Sequence, residues 1–277
     1  MRDTYLTHFG LREPPFTKEI PDAELWLPSS KQAVVDELVD AVEARASAIL
    51  VGDPGVGKTC VLRAFRKRLP DSFRLTYCHN VTLGRRDFYR QLCMVLGLAP
   101  SATAAAVFHA VSSHVSELGN DRVHPVFLLD EAHLLNQDTL DHLHILLNYD
   151  WDSRSLLSLV LVGLPELLDR LSMRRNRSLF SRLHRRLRID PLSPADTAEY
   201  LGMRLARVGC NRDIFASDAV SMIHEAATGG MRDVDRLATA AIREAARKKR
   251  RLVERDAVAR VIEAHTHGDT AAAMAIT

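Results

Sequence analysis

Cysteine is scarce in this chain of 277 residues, and long apolar runs are missing. The four cysteines, Cys60, Cys78, Cys93 and Cys210, are widely spaced and form no CxxC pair. That argues against a zinc knuckle or a redox dithiol and fits a reducing, cytoplasmic setting. No stretch of about 18 apolar residues occurs, and the opening Met1-Arg2-Asp3-Thr4-Tyr5 lacks the apolar segment of a signal peptide, so neither export nor a membrane partner is expected. Twelve histidines, among them His142, His144, His265 and His267, show no tetrahedral spacing, so no histidine-held metal site is expected. A charge excess of one sign is lacking too: 37 Lys and Arg stand against 35 Asp and Glu, a net +2. That average would exclude a nucleic-acid partner only if the charges were evenly spread.

What is present is an ordinary globular composition, 47% hydrophobic and 26% charged, enough for one large core or two modest ones. Residues 1–30 carry Pro14-Pro15, Pro21 and Pro28 with Phe9, Phe16 and Trp26, and read as an irregular arm packed on another part of the chain, the aromatics covering either a nucleotide base or a core edge. Residues 31–191 alternate helical and strand patterns. Val34, Val35, Leu38, Val39 and Val42 recur at helical spacing. Ala48 to Val51, Arg74 to Tyr77, Val126 to Leu129 and Leu156 to Val162 read as strands, several of them continuously apolar as parallel strands covered on both faces are. From residue 192 to 267 only helices are expected, over Ala195–Val208, Ser217–Thr228, Arg232–Arg251 and Glu254–His265. Ser193 and Ser217-Asp218 stand as N-caps, and Gly209 and Gly229-Gly230 as stops. Residues 268–277 read as a frayed tail. The expected architecture is an α/β domain with a parallel sheet flanked by helices, followed by a small all-helical lid.

The chemistry begins after the first apolar strand. Gly52-Asp53-Pro54-Gly55-Val56-Gly57-Lys58-Thr59, with Cys60 next, matches GxxxxGK[ST] at every fixed position, between a strand and a helix. Such a loop turns backbone N–H groups around the β-phosphate of a nucleotide, places Lys58 at the β- and γ-phosphates and offers the Thr59 hydroxyl to Mg²⁺. The strand Val126 to Leu129 ends in Asp130-Glu131. Asp130 is placed to hold the magnesium shell and Glu131 to polarise the attacking water, so ATP hydrolysis is expected rather than binding alone. The string Asp130-Glu131-Ala132-His133 also reads as the DEAH box of helicases, but one α/β domain with a lid cannot supply two motor domains.

This order of motifs resembles that of AAA+ ATPases, and the resemblance implies further site residues. Gly229-Gly230-Met231-Arg232 resembles the segment that sends a sensor-2 arginine to the γ-phosphate, which makes Arg232 the candidate. Eight arginines and no acidic residue lie between Arg170 and Arg188. Arg182 best matches the finger that acts on a neighbour's nucleotide, with Arg186 the alternative, so hydrolysis would need an oligomer. The strand ending at Gly163-Leu164 has Leu164 where relatives often carry Gln or Thr, and this leaves sensor 1 unassigned, with Asn148 a polar candidate.

His8-Phe9-Gly10-Leu11 with Pro14-Pro15-Phe16, the loop, Leu129-Asp130-Glu131-Ala132-His133, Leu161 to Leu167 and Gly229 to Arg232 together are similar to the ExeA/TnsC group of AAA+ ATPases, over residues 5 to 265. That group implies one of two clients. Relatives similar to TnsC, TniB, MuB and IstB assemble on duplex DNA with ATP as rings or filaments and recruit a transposase, whereas ExeA-type proteins assist secretion-channel or envelope assembly. A chain ending soon after its lid, without a membrane segment or a peptidoglycan-binding region, suits the transposition class. Basic clusters suit DNA-backbone contact: Arg85-Arg86 after Thr82-Leu83-Gly84, the arginines of 170–188, and Arg247-Lys248-Lys249-Arg250-Arg251. In transposition regulators the corresponding loop and helix face DNA, so Arg85 and Arg86 are the preferred contacts. A signalling switch in which ATP only stabilises an assembly is a third reading, disfavoured by the lack of a sensor or effector region.

Overall fold

The structure is a computed structural model that describes residues 4–79, 84–99, 103–148 and 154–274. The chain divides into two compact units: Ser29–Asp53 with Lys58–Ile189, and Met1–Pro28 with Pro54–Gly57 and Asp190–Thr277.

The first unit is an α/β layer structure. After α2 (Ser29–Glu43), the strand β1 (Ser47–Gly52) leads through α3 (Lys58–Arg68) to β2 (Phe73–Cys78). Two helices follow, α4 (Arg85–Val95) and α5 (Ala104–Asn120), before β3 (His124–Leu129). Then come α6 (Gln137–Leu146), β4 (Ser158–Gly163), the short α7 (Glu166–Ser172) and α8 (Arg177–Phe180), and β5 (Leu183–Ile189). The five strands form one parallel sheet in the order β2-β3-β4-β1-β5. Every residue of β1, β3 and β4 is buried, as continuous apolar runs require when helices cover both faces. Each Leu, Ile or Val so buried contributes about 1.5–3 kcal/mol, and the sheet core is the main support of this unit.

The edge strand β5 was hidden in the arginine-rich segment. Its apolar residues, Leu183, Leu187 and Ile189, are buried while His184, Arg185, Arg186 and Arg188 are exposed. Ser47 pairs with Leu183 but Ala48 pairs with Arg185, so His184 is one extra residue in the strand, a β-bulge. Beyond it Arg186 stands level with Ile49 and Leu187 with Leu50.

The second unit is helical. It contains α1 (Thr4–Phe9), α9 (Pro194–Arg207), α10 (Ser217–Ala227), α11 (Met231–Arg247) and α12 (Arg255–Met274). The opening arm therefore includes a helix, and it belongs to this unit. Buried Arg204 donates to the carbonyls of Pro15 and Thr17, Arg207 pairs with Glu13 and Glu24, Arg212 donates to Phe9 O, and Trp26 Nε1 donates to Glu199. Phe16 meets Phe215 edge-on, and Trp26 lies against Tyr200. Phe16 and Trp26 thus pack on residues of their own unit. Ser193 caps α9 with a full capping box: it accepts from Asp196 N, and its own N–H donates to the Asp196 carboxylate. The expected cap at Ser217 falls one residue off, at Ala216, which makes no side-chain bond. The helix expected to fray at Gly268 continues to Met274.

One buried group makes the fold sensitive to acid. His124, at the start of β3, shares a hydrogen bond of 2.9 Å with Ser158 and meets Phe73 edge-on. Burial, with the charge of Arg45 second, pushes its pKa down to about 4. The unfolded chain accepts this proton near pH 6.5 while the folded chain refuses it until about 4, so stability is lost as pH falls through that window. Urea midpoints measured from pH 7 to 4 are expected to fall for the native chain, and His124→Asn should remove about 2–3 kcal/mol of that fall. Parallel pH curves for the two proteins would refute this assignment.

Candidate nucleotide site

The phosphate loop grows directly out of β1. Gly52 ends the buried strand, and Asp53 and Pro54 are exposed. Gly55 and Gly57 take left-handed φ values of 82° and 101°, which turn successive N–H groups toward one side. Val56 is buried and anchors the turn. Lys58 opens α3, and its Nζ donates to Gly52 O at 2.8 Å and Asp53 O at 3.1 Å, so the ammonium lies across the base of its own loop. Thr59 follows, exposed, and Cys60 is half-buried.

The loop tip, Pro54–Gly57, groups with the helical unit. Arg232 N–H donates to Gly55 O at 3.2 Å, and a Cβ on Gly55 would lie 3.2 Å from Arg232 Cβ. The left-handed φ favours glycine at this position, and a Cβ there would in addition be tightly packed. The side chain of Arg232, in the first turn of α11, is exposed.

The carboxylates stand at the end of β3. Asp130 is buried; its Oδ1 accepts from Glu131 N at 2.9 Å and its Oδ2 from the Tyr77 hydroxyl of β2 at 2.8 Å. Burial, reinforced by the bond to Asp130, drives the Tyr77 hydroxyl pKa well up, so it stays a donor. Glu131 is left-handed, with φ 54° and ψ 34°, and its side chain is about half exposed. Such a conformation in a non-glycine residue costs on the order of 1 kcal/mol, and it points the second carboxylate away from the line of the strand. These donors fit a magnesium nucleotide: an ammonium and a hydroxyl on a loop of inward-turned amides, and a carboxylate oriented by two hydrogen bonds. Among the described residues, no cluster of three or more His, Cys, Asp and Glu side chains is arranged for a metal ion.

Other sequence-predicted residues are distributed differently. Asn148 is not at the carboxyl end of the sheet. It follows α6 and lines a groove with Glu117 and Asn120 at the end of α5, the side from which β3 and β4 are entered. Helices running antiparallel to their strands place it opposite Asp130, so it does not serve as sensor 1; its neighbour Tyr149 lies outside the described residues. Arg182 donates to Ser178 O at 3.2 Å and is partly buried. Arg186 is exposed, its guanidinium 3.8 Å from the centroid of the Phe180 ring. Arg175 pairs with Asp141, and Arg170 donates to His133 O. Arg174, Arg177 and Arg185 are exposed, and among the described residues no carboxylate pairs with them.

Arg85 and Arg86 open α4 behind Gly84 and are exposed; Thr82 and Leu83 lie outside the described residues. Arg85 Nη1 meets His142 Nε2 at 2.8 Å, and burial followed by this charge lowers the His142 pKa. The cluster from Arg247 is largely neutralised at home. Arg247 and Lys248 pair with Glu244, and Arg250 with Glu254 and Asp256. Sequence reasoning passed over Tyr77, His133, Arg170 and Asn176, whose partners come from elsewhere in the chain; only His133, inside the Asp-Glu-Ala-His string, carried a signal.

Comparisons with known proteins bear on the family of the domain and on its fold. Residues 41–171 match the family model described as "AAA domain". The chain is 30% identical over 228 residues to "General secretion pathway protein A" of Aeromonas hydrophila, a match covering 81% of this chain and 42% of that protein, so the chain spans less than half of the relative's length. Among solved structures, it resembles Cdc6p of Pyrobaculum aerophilum with a TM-score of 0.67 at 19% identity, covering 86% of this chain and 67% of that one. The ORC1 protein of Aeropyrum pernix, solved in complex with DNA, gives 0.67 at 20%, covering 91% and 68%. The RuvB branch-migration motor of Thermotoga maritima gives 0.59 at 15%, covering 91% and 73%. At such identities the structures speak for the fold alone. With the loop after β1 and the paired carboxylates after β3 both inside the matched segment, residues 41–171 form a P-loop domain of the AAA type.

Proposed function

We propose that this ATPase works as an oligomer on duplex DNA, marking a target and recruiting a transposase. The observation that carries the DNA reading is the pair Arg85 and Arg86 at the first turn of α4. Cations there oppose the helix dipole at a cost of about 0.3–1 kcal/mol each, a placement that an external phosphate would turn favourable. Arg174, Arg177 and Arg185 add exposed cationic surface without partner carboxylates among the described residues. Contacts of this kind hold the DNA backbone and do not read bases.

At the nucleotide, Lys58 would exchange the loop carbonyls for the β- and γ-phosphates, and Thr59 and Asp130 would hold the magnesium shell. Bound magnesium supplies charge neutralisation of the phosphoryl oxygens. Glu131 orients a water molecule and accepts its proton as the water oxygen attacks the γ-phosphorus and the bond to ADP breaks. Arg232 is the candidate that would act on the γ-phosphate from the same chain. A neighbouring copy supplies the finger, and exposed Arg186, braced by Phe180, suits that role better than Arg182, which is folded onto Ser178. The four cysteines are free thiols, compatible with the cytoplasm, and among the described residues no helix is long and apolar enough to cross a membrane.

A second reading, an ATPase assisting secretion or envelope assembly without DNA, is favoured by the likeness to the Aeromonas secretion protein. Two experiments separate and test these readings. Lys58→Ala is expected to lose ATP binding and turnover. Glu131→Gln should keep binding while kcat falls by about 100-fold or more. In fluorescence anisotropy with duplex DNA, binding should require ATP and weaken steeply with salt, and Arg85→Ala with Arg86→Ala should flatten the log–log salt slope by about 2. If ATP-loaded protein shows no affinity for duplex DNA at low salt, the secretion reading takes over.

A further inference from the structure

The strand that lies between the two halves of the nucleotide site brings no polar side chain to it. β4 is flanked by β1, which carries the phosphate loop, and by β3, which carries the carboxylates, and it ends at Gly163. A Cβ at Gly163 would lie 3.0 Å from Leu167 Cδ2 and 3.2 Å from both the backbone N and the ring Nδ1 of His133. A side chain there would need Leu167 and His133 to give way, because the imidazole of His133 lies over the strand end.

We propose that His133 is the positioning residue for Glu131, standing in for the polar group that Gly163 cannot supply. The proposal rests on the ATPase reading given above. His133 Nδ1 lies 3.6 Å from Glu131 Oε2 and 3.5 Å from Leu164 N, and the ring is mostly buried while Glu131 is about half exposed. The contact to Leu164 N is at the long limit of hydrogen bonding and that to Glu131 lies just beyond it, so a small rotation of the carboxylate would close the second. One nitrogen cannot serve both partners. Leu164 N–H needs a bare Nδ1 as acceptor, whereas Glu131 needs Nδ1–H as donor. The ring is thus poised between the end of β4 and the carboxylate, and when its proton is on Nδ1 it fixes the rotamer of Glu131.

The backbone beneath the ring is held independently. Arg170 Nη1 donates to His133 O at 3.0 Å, Asn176 Nδ2 donates to Arg170 O at 2.8 Å, and Gln137 Nε2 donates to Asn176 Oδ1 at 2.6 Å. Asn176 is buried. These bonds tie the turn that carries His133 to α6, α7 and the segment just before Arg177, so the imidazole has a fixed base from which to choose its partner. A carboxylate free to rotate at an exposed strand end would hold the attacking water in place only part of the time, and that loss would appear in the chemical step.

The test compares steady-state ATP hydrolysis and equilibrium binding of a fluorescent ATP analogue by the full chain and by His133→Ala, His133→Phe and His133→Asn, with and without duplex DNA. Phenylalanine keeps a ring over Gly163 but no nitrogen; asparagine places an amide near the position of Nδ1. We expect kcat to fall about 10-fold or more in the Ala and Phe variants with analogue affinity within about 3-fold of native, and His133→Asn to recover most of the rate. Thermal melts identify any variant that fails to fold, and the Phe and Asn pair decides the matter if Ala does not fold. Native turnover in His133→Phe, equal losses in Phe and Asn, or a change confined to KM would each overturn the assignment of His133 while leaving the ATPase reading intact. A native chain without ATPase activity under every condition would overturn that reading and this one with it.

Discussion

Neighbouring parallel strands stand about 4.8 Å apart, so with β4 between β1 and β3 the roots of the phosphate loop and of the carboxylates are held roughly 10 Å apart along one edge of the sheet. That spacing is fixed by three strands buried on both faces, the least deformable part of the unit. Open parallel sheets bind ligands beyond the carboxyl ends of their strands, where successive connections leave in opposite directions. Here the chain leaves β1 for the far edge at β2, returns through β3 and β4, and places β5 on the other side of β1. The left-handed turn at Glu131 and the ring of His133 over Gly163 are local adjustments on this rigid edge, and neither would have a defined direction without it.

The distribution of charge follows from the same frame. A net +2 conceals arginines with separate tasks. Arg204, Arg207 and Arg212 fasten the opening arm to the helical unit, and Arg247 and Arg250 are answered by nearby acids. In the α/β unit, α6 gathers several polar contacts on one helix: Gln137 to Asn176, Asp141 to Arg175, His142 to Arg85. The Arg175 contact holds the Asp141 carboxyl below its usual range. The candidate DNA residue Arg85 and the segment that leads to the candidate finger are therefore both bonded to the same ten-residue helix.

How far the sequence could be read depended on whether an element's partners were local. β1, β3 and β4 were legible because both faces are buried and the strands are mainly apolar, and the phosphate loop because its glycines and lysine all fall between positions 52 and 58. The N-cap at Ser193 was legible for the same reason, though its reciprocal bond with Asp196 was not. β5 was not, because four of its seven residues are exposed and basic, and charge masks the burial of Leu183, Leu187 and Ile189. Asn148 was misplaced because polarity and proximity to a strand do not say which end of the strand is meant. Tyr77 and Asn176 gave no signal at all. Their hydrogen bonds reach Asp130, 53 positions away, and Gln137, 39 positions away, and only the folded sheet brings such pairs together.

The bulge at His184 links the edge strand to the candidate finger. Because side chains alternate along a strand, one extra residue reverses the facing of everything that follows. Leu183 lies opposite Ser47 and joins the core cluster that contains Ile49, Val51, Leu167 and Leu179. Without the extra residue, Arg185 would stand level with Ile49, and Arg186 with Leu50, where Leu187 is now buried. With it, Leu187 and Ile189 take the positions opposite Leu50 and Gly52, and Arg186 comes to the face where Phe180 supports its guanidinium. A stretch so rich in arginine can serve as the edge of a hydrophobic sheet only if its few apolar residues fall on the correct sides of the strand. The bulge achieves that, and in doing so it leaves an exposed arginine held at a defined position beside β1.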